Sequence, residues 1–477
     1  MNLEEKLRAL RQAAEKSSVD CELERQLEWL RRRQAATARR PLPAQRVPRG
    51  IEHYVEGCLE QNQRGEYFVA RQSLPFGRPY GKLRVGDVSV ADLRALEIFL
   101  EDNPLPDPAE LIYLDTETTG LAGGTGTCAF LIGIGYIEGS DFVVRQFFLR
   151  DYPEEKAILA ALAEILIGYK GLVTFNGKTF DVPLLETRYT LARHRSPFGR
   201  MIHLDLLHPA RRLWKLRLES CQLTHLEKEV LGISRNGDVA GAEIPGIYFD
   251  YLRTGDARGL QPVFYHNALD IVTLAALTSE LARIIRNEMA LATAEAPEAL
   301  EPAEAAAASA CTHSLDLFSL SRIFERAGNS QESASICRRA LALGLPPSLE
   351  SRALWHLAAE HKRRSEYPQA IEIWEEMVRR EAEGFLEALE QLALHAEHRL
   401  RDAQAARQYT EKALAWLSAR PNHRAVLQPR DHGQAWPAWA KPEGLIETER
   451  FMHRLQRLRR KLARAGTPIP FATRPGE

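Results

Sequence analysis

The stretch Leu111-Ile112-Tyr113-Leu114-Asp115-Thr116-Glu117-Thr118-Thr119-Gly120 is an apolar run that ends in two acids spaced i and i+2. On a β-strand, side chains two apart project from the same face. Asp115 and Glu117 therefore leave the end of one buried strand together. Two carboxylates held that close repel, and a divalent cation such as Mg²⁺ relieves the conflict by accepting oxygens from both. The next apolar segment, Cys128-Ala129-Phe130-Leu131-Ile132-Gly133-Ile134-Gly135-Tyr136, reads as a second buried strand. Gly120, Gly123, Gly124 and Gly126 lie between the two and fit neither the G-x-G-x-x-G nor the Walker spacing. A glycine-rich loop that leads into a strand predicts a hairpin and argues against a dinucleotide-binding enzyme.

More acids follow in suitable places. In Val173-Thr174-Phe175-Asn176-Gly177-Lys178-Thr179-Phe180-Asp181 a short β-like run meets an Asn-Gly turn and then an acid. Tyr265-His266-Asn267-Ala268-Leu269-Asp270-Ile271-Val272 lies in a helical pattern running to about Arg286, and its His266 and Asp270 share a face at i and i+4. Asp205 likewise ends a strand-like run, in Met201 to Leu207. Taken singly, each feature has an ordinary reading: a solvated strand end, a turn, a hydrogen-bonded structural histidine. Jointly, the order Asp, Glu, Asp, Asp, with a histidine one turn before the last acid, points to a metal site.

That order and its local spelling resemble the DEDD superfamily of 3′–5′ exonucleases, which share a ribonuclease H-like fold. Within it, DTETTGLAGGTGT, FNGKTFD and YHNALDIVTL are similar to the YprB-like ribonuclease H-like domain proteins of bacteria, over roughly residues 50 to 285. The resemblance implies a mixed α/β sheet in which Asp115, Glu117, Asp181 and Asp270 hold two divalent cations, Mg²⁺ or Mn²⁺. It implies hydrolysis of phosphodiester bonds in nucleic acid, DNA or RNA, offered as a single strand or a 3′ end. In these families the base that activates water is a Tyr four residues before the last Asp or a His five before it. Here His266 stands four before Asp270 and Tyr265 five before, so both are candidates. The imidazole, which takes a proton near neutral pH, favours His266. Thr118, Asn176, Lys178 and Tyr265 are expected on the substrate side. The alternative is a nucleic-acid-binding adaptor with a weak or silent centre, working through its C-terminal repeats.

At 477 residues the chain has room for about three structural units. Its 45% hydrophobic and 27% charged composition fits a globular protein. A net charge of −1 gives no global field for nucleic acid, although residues 1–50 carry 12 Lys/Arg against 7 Asp/Glu. The six cysteines are scattered without a CxxC pair, which argues against a zinc site or disulfide framework and for reduced thiols in the cytoplasm. The N-terminus lacks the apolar core of a signal peptide, and no apolar run is long enough to span a membrane.

Residues 1–50 read as a helix over 2–35 and a basic linker holding Arg31-Arg32-Arg33 and Arg39-Arg40. Residues 51–287 form the expected ribonuclease H-like domain. It opens with an accessory lead-in: a strand at Gly65–Ala70 and a helix capped near Asp92. Asp141–Phe148 reads as a third strand, 153–168 as a helix, and Thr224–Gly232 as a short helix stopped by glycine within a strand-free 209–262. An Ala/Glu/Pro-rich linker is expected at 288–312. Over 313–420, Ser333…Ala340, Ala370…Met377 and Ala406…Ala413 recur at spacings of 37 and 36. They resemble tetratricopeptide repeats, an all-α array whose concave face binds protein partners. The tail, 421–477, holds a basic amphipathic helix near Glu447–Arg464, suited to nucleic-acid contact or to packing on the repeats.

Overall fold

The computed structural model describes residues 49–100, 104–120, 126–293, 311, 313–419 and 443–465. The N-terminal helix and arginine clusters, Gly123 and Gly124, most of the 288–312 linker and the rest of the tail lie outside the described residues. The chain divides into two compact units, residues 1–211 with 220–283 and residues 212–219 with 284–477.

The first unit is built on a seven-stranded sheet. Its strands are β1 (Cys58–Asn62), β2 (Gly65–Pro75), β5 (Leu111–Thr118), β6 (Ala129–Glu138), β7 (Asp141–Phe148), β8 (Gly171–Thr174) and β9 (Ile202–Asp205). Between β2 and β5, β3 (Pro79–Tyr80) and β4 (Leu83–Arg84) make a separate small ribbon. The order is β1-β2-β7-β6-β5-β8-β9. Pairing is antiparallel from β1 to β5 and parallel from β5 to β9. Connection length explains the change. Tight loops join β1 to β2 and β6 to β7, whereas parallel neighbours need crossovers. Those crossovers are α1 (Glu155–Leu166) before β8 and α2 (Asp181–Leu191) before β9. The lead-in is part of this sheet: β2 pairs with β7 from Phe68 to Pro75. The turn after Asp92 is a 3-10 helix, Leu93–Phe99, whose Arg94 N–H donates to the Asp92 carboxylate at 3.3 Å.

Both faces of the central strands are covered, which is why β5 and β6 read as continuous apolar runs rather than alternating ones. Ile112, Leu114, Ile132 and Ile134 share a core with Ala157 to Leu166 of α1. On the opposite face the Tyr113 and Phe142 rings meet at 5.6 Å between centroids. After β9 come α3 (Leu207–Trp214), α4 (Leu223–Leu226), α5 (Ile244–Thr254) and α6 (Gln261–Thr293). A π-helical turn, Glu227–Leu231, extends α4 and stops at Gly232 in the left-handed region, φ 72°. α6 continues past residue 287, where the first domain is expected to end.

The second unit is helical. It holds α7 (Ser314–Arg326), α8 (Ser330–Ala342), α9 (Pro347–Arg363), α10 (Tyr367–Arg379), α11 (Phe385–His398), α12 (Ala403–Ala419) and α13 (Glu443–Ala465). The recurring positions Ser333, Ala340, Ala370, Met377, Ala406 and Ala413 fall on α8, α10 and α12 and are all 0% exposed. Small residues there let neighbouring helices approach closely. α13 buries Phe451, Leu455 and Leu458. Its arginines pair with acids of α11: Arg454 with Glu390 at 3.0 Å and Arg457 with Glu397 at 2.5 Å. Part of the basic stripe of α13 is thus used in packing against α11. Among the described residues no helix is long and apolar enough to cross a membrane. Of the described cysteines, Cys128, Cys311 and Cys337 are buried thiols, Cys221 is half-buried and Cys58 is exposed.

Candidate active site

Asp115 and Glu117 leave the C-terminal end of β5 on the face that α6 covers. Two glycines of β6 bring α6 close. A Cβ on Gly133 would lie 2.2 Å from Asn267 Oδ1, and one on Gly135 would lie 2.4 Å from Ile271 Cγ2. Asn267 uses that closeness to join sheet and helix. Its amide donates to Asp115 Oδ2 at 2.9 Å and accepts from Gln146 Nε2 of β7 at 2.9 Å. The β5–β6 register slips between Glu117 and Thr118. Such a bulge re-aims the side chains beside it.

On α6, His266 and Asp270 face the same end of the strand. His266 Nε2 lies 3.4 Å from Asp270 Oδ2 and 3.9 Å from Glu117 Oε1. One donor atom from each of Glu117, His266 and Asp270 falls within 4.8 Å of the others. Behind them stand three residues that sequence reasoning missed. Asp238 accepts from His266 Nδ1, at 2.8 Å to Oδ1 and 3.0 Å to Oδ2. Arg235 forks onto Glu227 with two bonds of 2.6 Å, reaches Asp238 Oδ2 at 3.0 Å and donates to Asp270 Oδ1. Glu227, 1% exposed, also accepts from the Thr273 hydroxyl, which meets Tyr80 at 2.6 Å. Arg235 and Asp238 sit in a glycine-containing loop with no hydrophobic period, where charged residues default to solvent.

Asp181 opens α2 and reaches the site from the other side of β5. Thr116, one residue out of step with the acids, points to that side and donates to Asp181 Oδ1 at 2.5 Å. Asp115 and Asp181 thus flank the Glu117–His266–Asp270 group without belonging to it. Asp205 ties down the turn before Asp181. It accepts from the backbone N–H groups of Asn176 at 2.7 Å and Lys178 at 3.0 Å. Asn176 takes the left-handed conformation, φ 67°, that the Asn-Gly turn requires. Of the residues expected on the substrate side, Lys178 is exposed and Asn176 is half-buried. The Thr118 hydroxyl donates to the Gly120 carbonyl at 3.1 Å. Tyr265 is 44% exposed, whereas His266 is half-buried beside the acids.

The electrostatics are those of an anion cluster short of cations. Burial, then Asp270, Glu117 and Asp181, hold the Asp115 carboxyl well above the usual range. Burial pushes Glu117 up to about 7 despite the opposing pull of His266, and pushes Asp181 up to about 6 despite the Thr116 bond. Asp270 is also raised by burial, against the pull of Arg235 and His266. For His266, burial acts to lower basicity, but Asp270, Glu117 and Asp238 outweigh it and raise the pKa. One guanidinium does not offset this many acids. Clustered carboxylate oxygens form a donor set that fits a hard divalent cation such as Mg²⁺ or Mn²⁺.

Comparison with known proteins agrees with this architecture. The RNase H superfamily profile matches residues 112–282. An uncharacterised protein, YprB, from Bacillus subtilis strain 168 is 32% identical over 314 residues, covering 64% of this chain and 69% of the relative. Among solved structures, the family B DNA polymerase of the hyperthermophilic archaeon Pyrobaculum calidifontis aligns with a TM-score of 0.31 and 11% identity. That alignment covers 55% of this chain and 34% of the polymerase, so the chain spans about a third of the polymerase's length. With its mixed sheet, its acids at the end of the central strand and its identity to YprB, the chain belongs to the YprB-like family of the RNase H superfamily.

Proposed function

We propose that this protein is a metal-dependent 3′–5′ exonuclease acting on DNA or RNA. The observation that carries the reading is the convergence of Glu117, His266 and Asp270 within 4.8 Å, flanked by buried Asp115 and Asp181. Asp115, Glu117, Asp181 and Asp270 would hold the cations, Mg²⁺ or Mn²⁺, in the two-metal manner of the resembling exonucleases. Bound cations supply Lewis-acid stabilisation of the charge that develops on the phosphate and the leaving oxygen. His266 takes the proton of the attacking water at Nε2, the ring nitrogen turned to the acids; Tyr265 remains the second candidate. Asn176 and Lys178, fixed by Asp205, and Thr118 border the strand end being cleaved, with Lys178 free to meet a phosphate.

A second reading has its own observation. Arg235 already donates to Asp270 Oδ1, so one oxygen of the last acid is engaged by protein. A centre in which that contact persists is weak, and the molecule then works as a nucleic-acid-binding adaptor through its helical repeats. One experiment separates the two. Full-length protein meets 5′-labelled single-stranded DNA and RNA with Mg²⁺, Mn²⁺ or EDTA, beside an Asp115→Ala/Glu117→Ala variant. A metal-dependent ladder that shortens from the 3′ end, and is lost in the variant, supports the exonuclease. Retained binding without cleavage supports the adaptor.

A further inference from the structure

We propose that Asp238 is the positioning residue of this centre, fixing the His266 ring with its proton on Nδ1 and an uncommitted Nε2 turned to Glu117 and Asp270. The inference rests on the reading of His266 as the base, and it adds a residue that none of the three acidic motifs contains.

The argument begins with what a carboxylate can do. An ionised carboxylate only accepts hydrogen bonds. Both oxygens of Asp238 lie within hydrogen-bond distance of Nδ1, at 2.8 and 3.0 Å, so Nδ1 carries the proton. Arg235 Nη1 also lies 3.3 Å from Nδ1. If Nδ1 accepted that longer contact, it would turn a lone pair onto Asp238 at 2.8 Å. The shorter contact therefore decides the tautomer. A neutral ring protonated on Nδ1 has its lone pair on Nε2. That nitrogen faces carboxylate oxygens, Asp270 Oδ2 at 3.4 Å and Glu117 Oε1 at 3.9 Å. A lone pair aimed at anions is unstable: either Nε2 takes a second proton, as these acids favour, or something protic or cationic stands between, which for the neutral ring is the place of a reacting water.

Asp238 is itself held. Arg235 donates to Asp238 Oδ2 and to Asp270 Oδ1 with different nitrogens, and its fork is anchored on Glu227. The guanidinium side chain is only 7% exposed. The loop acid that orients the histidine and the helix acid beside that histidine are thereby locked into one register.

The test uses full-length protein and two readouts. In metal-free protein, ring ¹⁵N spectra identify the His266 signals by their absence in His266→Gln. Wild type, read at a pH high enough to remove the second ring proton that Asp270, Glu117 and Asp238 favour, should show the tautomer protonated on Nδ1. Asp238→Asn, which can offer Nδ1 an amide donor, should shift His266 towards the tautomer protonated on Nε2. In the ladder assay Asp238→Asn should lower kcat about 100-fold or more, with KM and calorimetric Mn²⁺ affinity within about threefold of wild type. Asp238→Asn/His266→Gln should lose no more than His266→Gln alone, and Asp238→Glu should recover part of the rate. An unchanged ring spectrum in Asp238→Asn overturns the proposal, as does additive loss in the double variant. A fall in Mn²⁺ affinity that accounts for the whole rate loss does the same. If the wild type cleaves nothing, the exonuclease reading fails while the ring spectra still decide the role of Asp238.

Discussion

At the scale of single residues the site stores charge repulsion, and pH should reveal it. Burial holds the Glu117 carboxyl at about 7 in the folded protein, against 4.5 for the free group. A carboxyl raised by folding binds protons more tightly in the native state. Its stabilising contribution is complete below the unfolded value and is lost as pH rises through the folded one. Metal-free wild type should therefore lose stability between about pH 4.5 and 7 relative to Glu117→Gln. The variant should be the more stable at pH 8, by roughly 1–3 kcal/mol. His203, lowered by burial to about 4, imposes the opposite slope, and comparing two proteins that share it cancels that slope. Urea titrations at pH 5 and pH 8 read the difference, and equal stabilities at both would mean that the acids are already compensated. The four acids and His266 were legible because each sits in a local pattern of strand end, turn or helix face. Arg235, Asp238 and Glu227 were not, because their meaning lies in the contacts of Arg235 with Glu227 and Asp270 and of Asp238 with His266, across 8 to 35 positions of chain. Asn267 lay inside a quoted motif, but its partner Asp115 is 152 residues away.

At the scale of elements the site depends on how closely α6 lies on β6, which two glycines set. Alanine at either should overpack the contact and cost about 1–3 kcal/mol. The consequences for the site should differ. A Cβ on Gly133 displaces Asn267, the group that holds Asp115. A Cβ on Gly135 strikes Ile271 and Phe142 instead. Gly133→Ala should therefore weaken Mn²⁺ binding several-fold more than Gly135→Ala at similar stability. Equal weakening in isothermal titration would show α6 shifting as one body. The core strands β5 to β7 and the helix carrying His266 were readable from their apolar runs and helical period. The membership of β2 in the same sheet was not, because nothing local in β1 or β2 names a partner strand. Their place is decided by the register with β7, a long-range property.

At the scale of the whole molecule, each unit has its own buried core, so binding at one should leave the other's stability unchanged if each unfolds by itself. Tryptophan makes this measurable. Trp214, Trp355, Trp374 and Trp416 belong to the second unit, and in a Trp29→Phe chain no tryptophan falls within the first unit's span, to which every candidate metal donor belongs. A cation at about 100 times its dissociation constant stabilises the state that binds it by about 2.7 kcal/mol. For a unit of this size that corresponds to roughly 5–10 °C. Mn²⁺ should therefore raise one calorimetric transition by that amount while the tryptophan-fluorescence midpoint stays in place. Phe451→Ala, which empties a fully buried position on α13, should lower the fluorescence midpoint and leave the Mn²⁺-sensitive transition where it was. If Mn²⁺ moves both signals together, α6, whose residues are divided between the units, couples them into one cooperative block. Loading the site with metal would then stabilise the second unit as well.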